Sequence, residues 1–227
     1  MHEESGRTAE TQQHGARIAG ATLAIGTVLE IAAMARHPSV RTSDASQAVH
    51  QIADMAVLSG WVHGALLGFT LIVAYGLSEF ALRRDLRRPL IRAGAIAYAA
   101  GIVFMLGAAM VSGFIISDLI AYTPHASSLD LQINAQLLTL CRVLNQTWAK
   151  FGVVAMSTGI GLWSIDLLRD SAMGRMIGIL GLLVSAVPAL AITFGLMHLD
   201  VGGMTAVVLL QAIWNIAVGL AMLRSRI

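Results

Sequence analysis

The feature that most constrains this chain is the length of its apolar runs. A bilayer core is crossed by about 20 residues of helix, and several runs reach or exceed that. In order they are roughly Arg17 to Ala35, Met55 to Leu82, Leu90 to Ile120, a stretch within Ile133 to Leu168, Met176 to His198, and Met204 to Leu223. All are too long and continuous for barrel strands. The expected fold is therefore all-α: a polytopic membrane protein built as a bundle of six transmembrane helices. Composition agrees, with 12% charged residues against about 25% in soluble domains, and a mean hydropathy of +0.73. A net charge of +2 gives no electrostatic footprint for nucleic acid. Cys141 is the lone cysteine, so no internal disulfide can form, and the redox compartment is not readable from it.

Arginine sets the expected orientation. The linker RRDLRRPLIR between the second and third runs holds Arg83, Arg84, Arg87, Arg88 and Arg92. Arg169 and Arg175 follow the fourth run, and Arg224 and Arg226 close the chain. The positive-inside rule then puts both termini in the cytoplasm of a bacterial-type inner membrane. Residues 1–15 are expected to be a disordered cytoplasmic tail, and 16–227 a single membrane domain. Ala33-Met34-Ala35 has the look of a signal-peptide cleavage site, but Glu30 and the long polar lead-in argue against it.

Gly60, Gly64 and Gly68 in the second run form a small-xxx-small stripe suited to close helix approach. Gly101, Gly107 and Gly113 make the third run a reasonable partner. Pro188 is expected to kink the fifth helix. The fourth helix is expected to be overlong, about 54 Å if helical from Ile133 to Leu168, against ~30 Å of hydrocarbon. It carries Arg142, Asn145, Gln146 and Lys150 on one face, joined by Thr139. With Phe151 to Leu168 as the span, that face lies at or above the outer interface, and Lys150 snorkels up to it.

On this topology His37, His50, His63, His125 and His198 all fall in the outer half. Glu30 lies about 9 Å below the outer end of the first span, and Asp54, Asp118 and Asp200 are at span ends. Met34, Met55, Met197 and Met204 share that level. Arg142 and Lys150 are then expected to face an acid-rich layer. Histidine, carboxylate and thioether are ligands for zinc or copper. Glu30, His63 and His198 form the expected inner set, with His37 and His50 above. Glu30 and His63 stand out because ionisable residues inside spans are rare and costly, whereas His125 and His37 read equally well as loop and helix-stop residues. Haem is the weaker expectation: His63 lies in the glycine stripe, where a flat ring could approach backbone closely, but no paired-histidine spacing accompanies it. Gln211 and Asn215, at i and i+4 in the sixth run, suit interhelical hydrogen bonding or the floor of a polar cavity.

No HExxH, GxSxG, Walker or CxxC motif occurs, so no catalytic residue is nominated. Ser112, Ser117 and Ser185 read as ordinary small span residues. The segments ARIAG (Ala16 to Gly20) and GRMIGILGLL (Gly174 to Leu183) resemble a bacterial family of small six-helix membrane proteins classed only as a domain of unknown function. The resemblance implies the six-helix fold and carries over no activity or residue. The favoured expectation is a bundle that binds a metal ion or small polar ligand at its outer face. The alternatives are an accessory subunit docking through Gly60, Gly64 and Gly68, and a small-solute transporter, for which no inverted repeat is evident.

Overall fold

The computed structural model describes residues 2–39, 45–121 and 128–224, with side chains described within 13–39, 47–120 and 133–224. Among these residues every regular element is a helix and none is a strand. The elements are α1 (His2–Met34), α2 (Ala45–Arg83), α3 (Pro89–Met110), a π-helical turn (Val111–Ile115), α4 (Ile116–Ala121), α5 (Ser128–Leu167), α6 (Ala172–Thr193) and α7 (Val201–Leu223). Five stretches are long and apolar enough to cross a membrane: Gln13–Met34, Gln47–Arg83, Pro89–Ile120, Ala172–Thr193 and Val201–Leu223. α5 is not among them, although it runs for 40 residues, about 60 Å. Lys150, Ser157, Thr158, Ser164 and Asp166 dilute its apolar half.

Element boundaries differ from expectation in three places. α1 begins at His2, inside the stretch read as a tail, where Glu, Ala and Gln favour helix. α2 begins at Ala45, before the apolar run does, because its polar lead is also helix-compatible. α6 ends at Thr193 and does not continue to His198; Gly195 follows in the left-handed region at φ 70°, which stops the helix. Polar caps fix the other ends. Ser171 accepts the Gly174 N–H at 3.4 Å, Asp200 accepts the Gly203 N–H at 2.8 Å, and Pro89 opens α3 where a missing N–H costs nothing.

Helix pairing follows glycine, but not the glycines expected. α3 packs chiefly on α5, and α1 on α2 and α7. On the α3–α5 seam a Cβ added at Gly101 would lie 2.8 Å from the Gly152 carbonyl, and one at Gly159 would lie 2.8 Å from that of Gly94. Gly20 and Gly219 oppose each other similarly between α1 and α7. The α2 stripe does not pair with α3. Gly60 and Gly68 have nothing within 4 Å of an added Cβ, and Gly64 has only Phe114 Cζ at 3.9 Å. Spacing on one helix shows that a neighbour can come close, not which face the rest of the bundle covers. Here α2 turns Val62, His63, Val73, Leu77 and Phe80 inward instead.

The deep core lies towards the arginine-rich end of the bundle. Trp163 and Trp214 stack with ring centres 6.1 Å apart, and Phe80 meets both edge-on at 5.8 and 6.0 Å. Beside it, the α2–α3 linker is pinned to the end of α5. Asp166, 2% exposed, takes Arg84 at 2.5 Å and Arg88 at 2.7 Å, and Arg84 also holds Asp170. Arg84 and Arg88, read from the sequence as an orientation signal, thus have a structural role.

Candidate functional site

The candidate site is built around two histidines brought together at the opposite end from that clamp. His63 lies on α2, 3% exposed, and its Nδ1 donates to the Ser59 carbonyl at 2.8 Å. His37, just past α1, has its Nδ1 donating to the Pro38 carbonyl at 2.8 Å. A carbonyl oxygen can only accept, so both rings carry their hydrogen on Nδ1. In the neutral rings the Nε2 atoms then present lone pairs, and these face each other 3.2 Å apart. The rings meet edge to face, with centres 4.7 Å apart. Burial pulls His37 below the ordinary imidazole value, against the opposing pull of the Pro38 carbonyl.

The π turn makes room for this pair. It carries Ser112 and Gly113, and a Cβ at Gly113 would overlap Cβ of His63. Ser112 Oγ lies 2.9 Å from His63 Nε2 and 3.0 Å from the Ala108 carbonyl, and its one hydroxyl hydrogen can serve either acceptor. Asn145 Nδ2 donates to the same carbonyl at 2.8 Å, tying α5 to the turn. Such π insertions commonly accompany functional sites because they re-aim one side chain within a helix.

The two histidines border a cavity of about 220 Å³ that also meets the thioethers Met34, Met105 and Met204. Ser112, Asn145, Gln146 and Asp200 supply its polar lining. Directly adjoining, because Met105 and Met204 line both, is a chamber of about 60 Å³ that holds Glu30, Thr70, Tyr98, Gln211 and Asn215.

The expected ligand set is therefore divided. His37 and His63 converge, but Glu30 lines the lower chamber, where it accepts the Thr70 hydroxyl at 2.8 Å. His198 is exposed on the α6–α7 connection, and His50 is exposed on α2; neither lines the cavity. His125 lies outside the described residues. Among the described residues no group of three or more His, Cys, Asp or Glu side chains is placed to hold a metal. The open glycines do not border the histidine cavity either, so the approach imagined for a haem ring is missing.

The polar stripe of α5 also divides. Asn145 and Gln146 turn inward, Gln146 Nε2 donating to the Leu199 carbonyl at 2.8 Å. Arg142 and Lys150 are exposed and meet no acid among the described residues. Asp118 is exposed on α4, and Asp200 is occupied in capping α7. The amides are close enough to reach carbonyls, whereas the longer cations extend away from the bundle. Gln211 does make an interhelical bond, its Nε2 donating to Ser157 Oγ at 3.4 Å.

Sequence reasoning missed Ser59, Met105, Ser112, Gly113 and Asp166. Only Asp166 left a signal: it is an acid within an apolar run. A bundle of long apolar helices with a two-histidine, thioether-lined cavity is the class that fold and site define. Comparison with protein-family models, curated proteins and solved structures finds no match for this chain.

Proposed function

We propose that the protein is a bacterial-type inner-membrane bundle, six-spanning with both termini cytoplasmic, that binds one soft metal ion of the copper(I) class in its outer cavity. The observation that carries this is the pair of opposed Nε2 lone pairs at 3.2 Å. Two facing lone pairs repel; the Ser112 hydroxyl at 2.9 Å can serve the one on His63, whereas positive charge between the rings serves both. Two metal–nitrogen bonds of about 2.0 Å at a tetrahedral angle span about 3.3 Å. Copper is favoured over zinc because the cavity that the pair borders is also lined by Met34, Met105 and Met204, whose thioethers select the softer ion. The orientation draws support from Arg84, Arg87 and Arg88 at one end of the bundle, with the histidines at the other. α5 supplies the sixth span through its apolar half, and the reading assigns no catalysis.

The test is an anaerobic copper(I) titration of detergent-purified protein against a chromophoric chelator. One ion per chain is expected, with zinc held more weakly. His37→Ala/His63→Ala, checked for folding by gel filtration, is expected to lose it. Equal copper retention by wild type and the double variant counts against the proposal, as does no retention by either. A second reading, movement of the ion through the bundle, is favoured by the walls the two cavities share at Met105 and Met204. Copper uptake into proteoliposomes tests it.

A further inference from the structure

The chamber beneath the histidine cavity has a chemistry of its own. It lies where α1, α2, α3, α5 and α7 meet, and at about 60 Å³ it has room for an ion and a little water but not for an organic solute. Its polar lining is rich in acceptors. Glu30 Oε1 already accepts from Thr70 at 2.8 Å. Asn215 is 3% exposed, and its Oδ1 is buried with no hydrogen-bond donor. Gln211 commits its amide nitrogen to Ser157, which leaves its carbonyl oxygen as an acceptor. No lysine or arginine lines the chamber.

A part-buried carboxylate within a span and an unpartnered buried amide carbonyl both carry a desolvation cost that a donor or a positive charge offsets. One small cation satisfies both at once. A single charge matches the single carboxylate, whereas a divalent ion would leave a net charge in low dielectric. Oxygen donors suit a hard ion, in contrast to the nitrogen and sulfur donors of the cavity above.

We propose that this chamber binds one small hard monovalent cation, sodium or a hydrated proton, through the Glu30 carboxylate, Asn215 Oδ1 and the Thr70 hydroxyl. Tyr98 of α3 is the other titratable group on its walls. Thr70 of α2 and Gln211 and Asn215 of α7 are neutral, and α5 contributes the apolar Val153 and Met156. The site stands independently of copper, and its test contains none.

The experiment is thermal unfolding of the metal-free, full-length protein in detergent. Choline chloride is replaced by sodium or potassium chloride at constant ionic strength and mildly alkaline pH. A saturable rise in midpoint with sodium, lost in Glu30→Gln and weakened in Asn215→Leu, identifies sodium as the occupant. A rise on acidification that is indifferent to sodium and lost in Glu30→Gln identifies the proton. Where Glu30→Gln does not fold, the near-isosteric Thr70→Val takes its place, and the wild-type cation series needs no variant. Midpoints alike in all three salts, with a pH dependence that neither variant alters, overturn the proposal and leave the copper titration unaffected.

Discussion

Asp166 carries more of this structure than any other acid among the described residues. It is almost wholly buried and pairs with two arginines from a linker distant in sequence, Asp170 supplying the second negative charge. Removing one partner from a fully buried pair typically costs about 3–5 kcal/mol where the other charge is left uncompensated; here Asp170 still holds Arg84, and Arg88 is part-exposed, so the loss lies below that range. Asp166→Ala is therefore expected to lower the unfolding midpoint, read by thermal unfolding in detergent. Asp85 is the contrast, an exposed turn acid whose carboxylate accepts the Arg87 backbone N–H at 2.9 Å. The side-chain hydrogen bond from Arg87 holds it below the usual carboxylate range. A lowered acid contributes above its ordinary value and loses the contribution as pH falls through the lowered one. Asp85→Asn is expected to lower the midpoint slightly near neutrality, where the contribution is fully present, and to match wild type once pH falls below the lowered value, measured as midpoint against pH.

At the scale of elements, glycine separates into two kinds that spacing alone does not distinguish. Gly60 and Gly68 meet nothing, so Gly60→Ala and Gly68→Ala are expected to be neutral, or to stabilise by up to about 1 kcal/mol from helix propensity. Should the stripe seat another chain, those variants dissociate it, which light scattering in detergent detects. Gly113 is the opposite case. A methyl there overlaps His63, and overpacking typically costs about 1–3 kcal/mol. Gly113→Ala is expected to disturb the histidine pair, and it is read as lost copper binding in a protein that still elutes as folded. The helices themselves were legible because an apolar run of membrane length has few other uses. The π turn was not, since its cause is the fit of His63 against a neighbouring helix and not a local propensity. Likewise, His37 and His63 are separated by 26 residues, and nothing in either segment announces their meeting. The α5 amides were visible as a stripe, but their partners are backbone carbonyls, to which every residue contributes alike.

For the molecule as a whole, the two ends of the bundle have opposite characters: an arginine–aspartate clamp at one, a histidine and thioether cavity at the other. The proposed orientation assigns the first to the cytoplasm. Cys141 is the sole thiol and is partly exposed on the outer part of α5, so it reports on this without engineering. A membrane-impermeant maleimide is expected to label it in spheroplasts without permeabilisation, and a fluorescent protein fused at the C-terminus is expected to mature. Labelling only after permeabilisation would reverse the orientation.

The clamp has a further consequence, for how the chain is made. Arg84 precedes Asp166 by 82 residues. At ~5–20 residues per second of synthesis, Arg84 leaves the ribosome some 4–16 seconds before its counter-charge exists. On the proposed orientation, the arginines are free in that interval to hold the linker on the cytoplasmic side while α3 inserts. Only the arrival of α5 converts them from an orientation signal into a lock. The same side chains are thus used twice in the life of one molecule, and a chain truncated before Asp166 would keep the first use and lack the second.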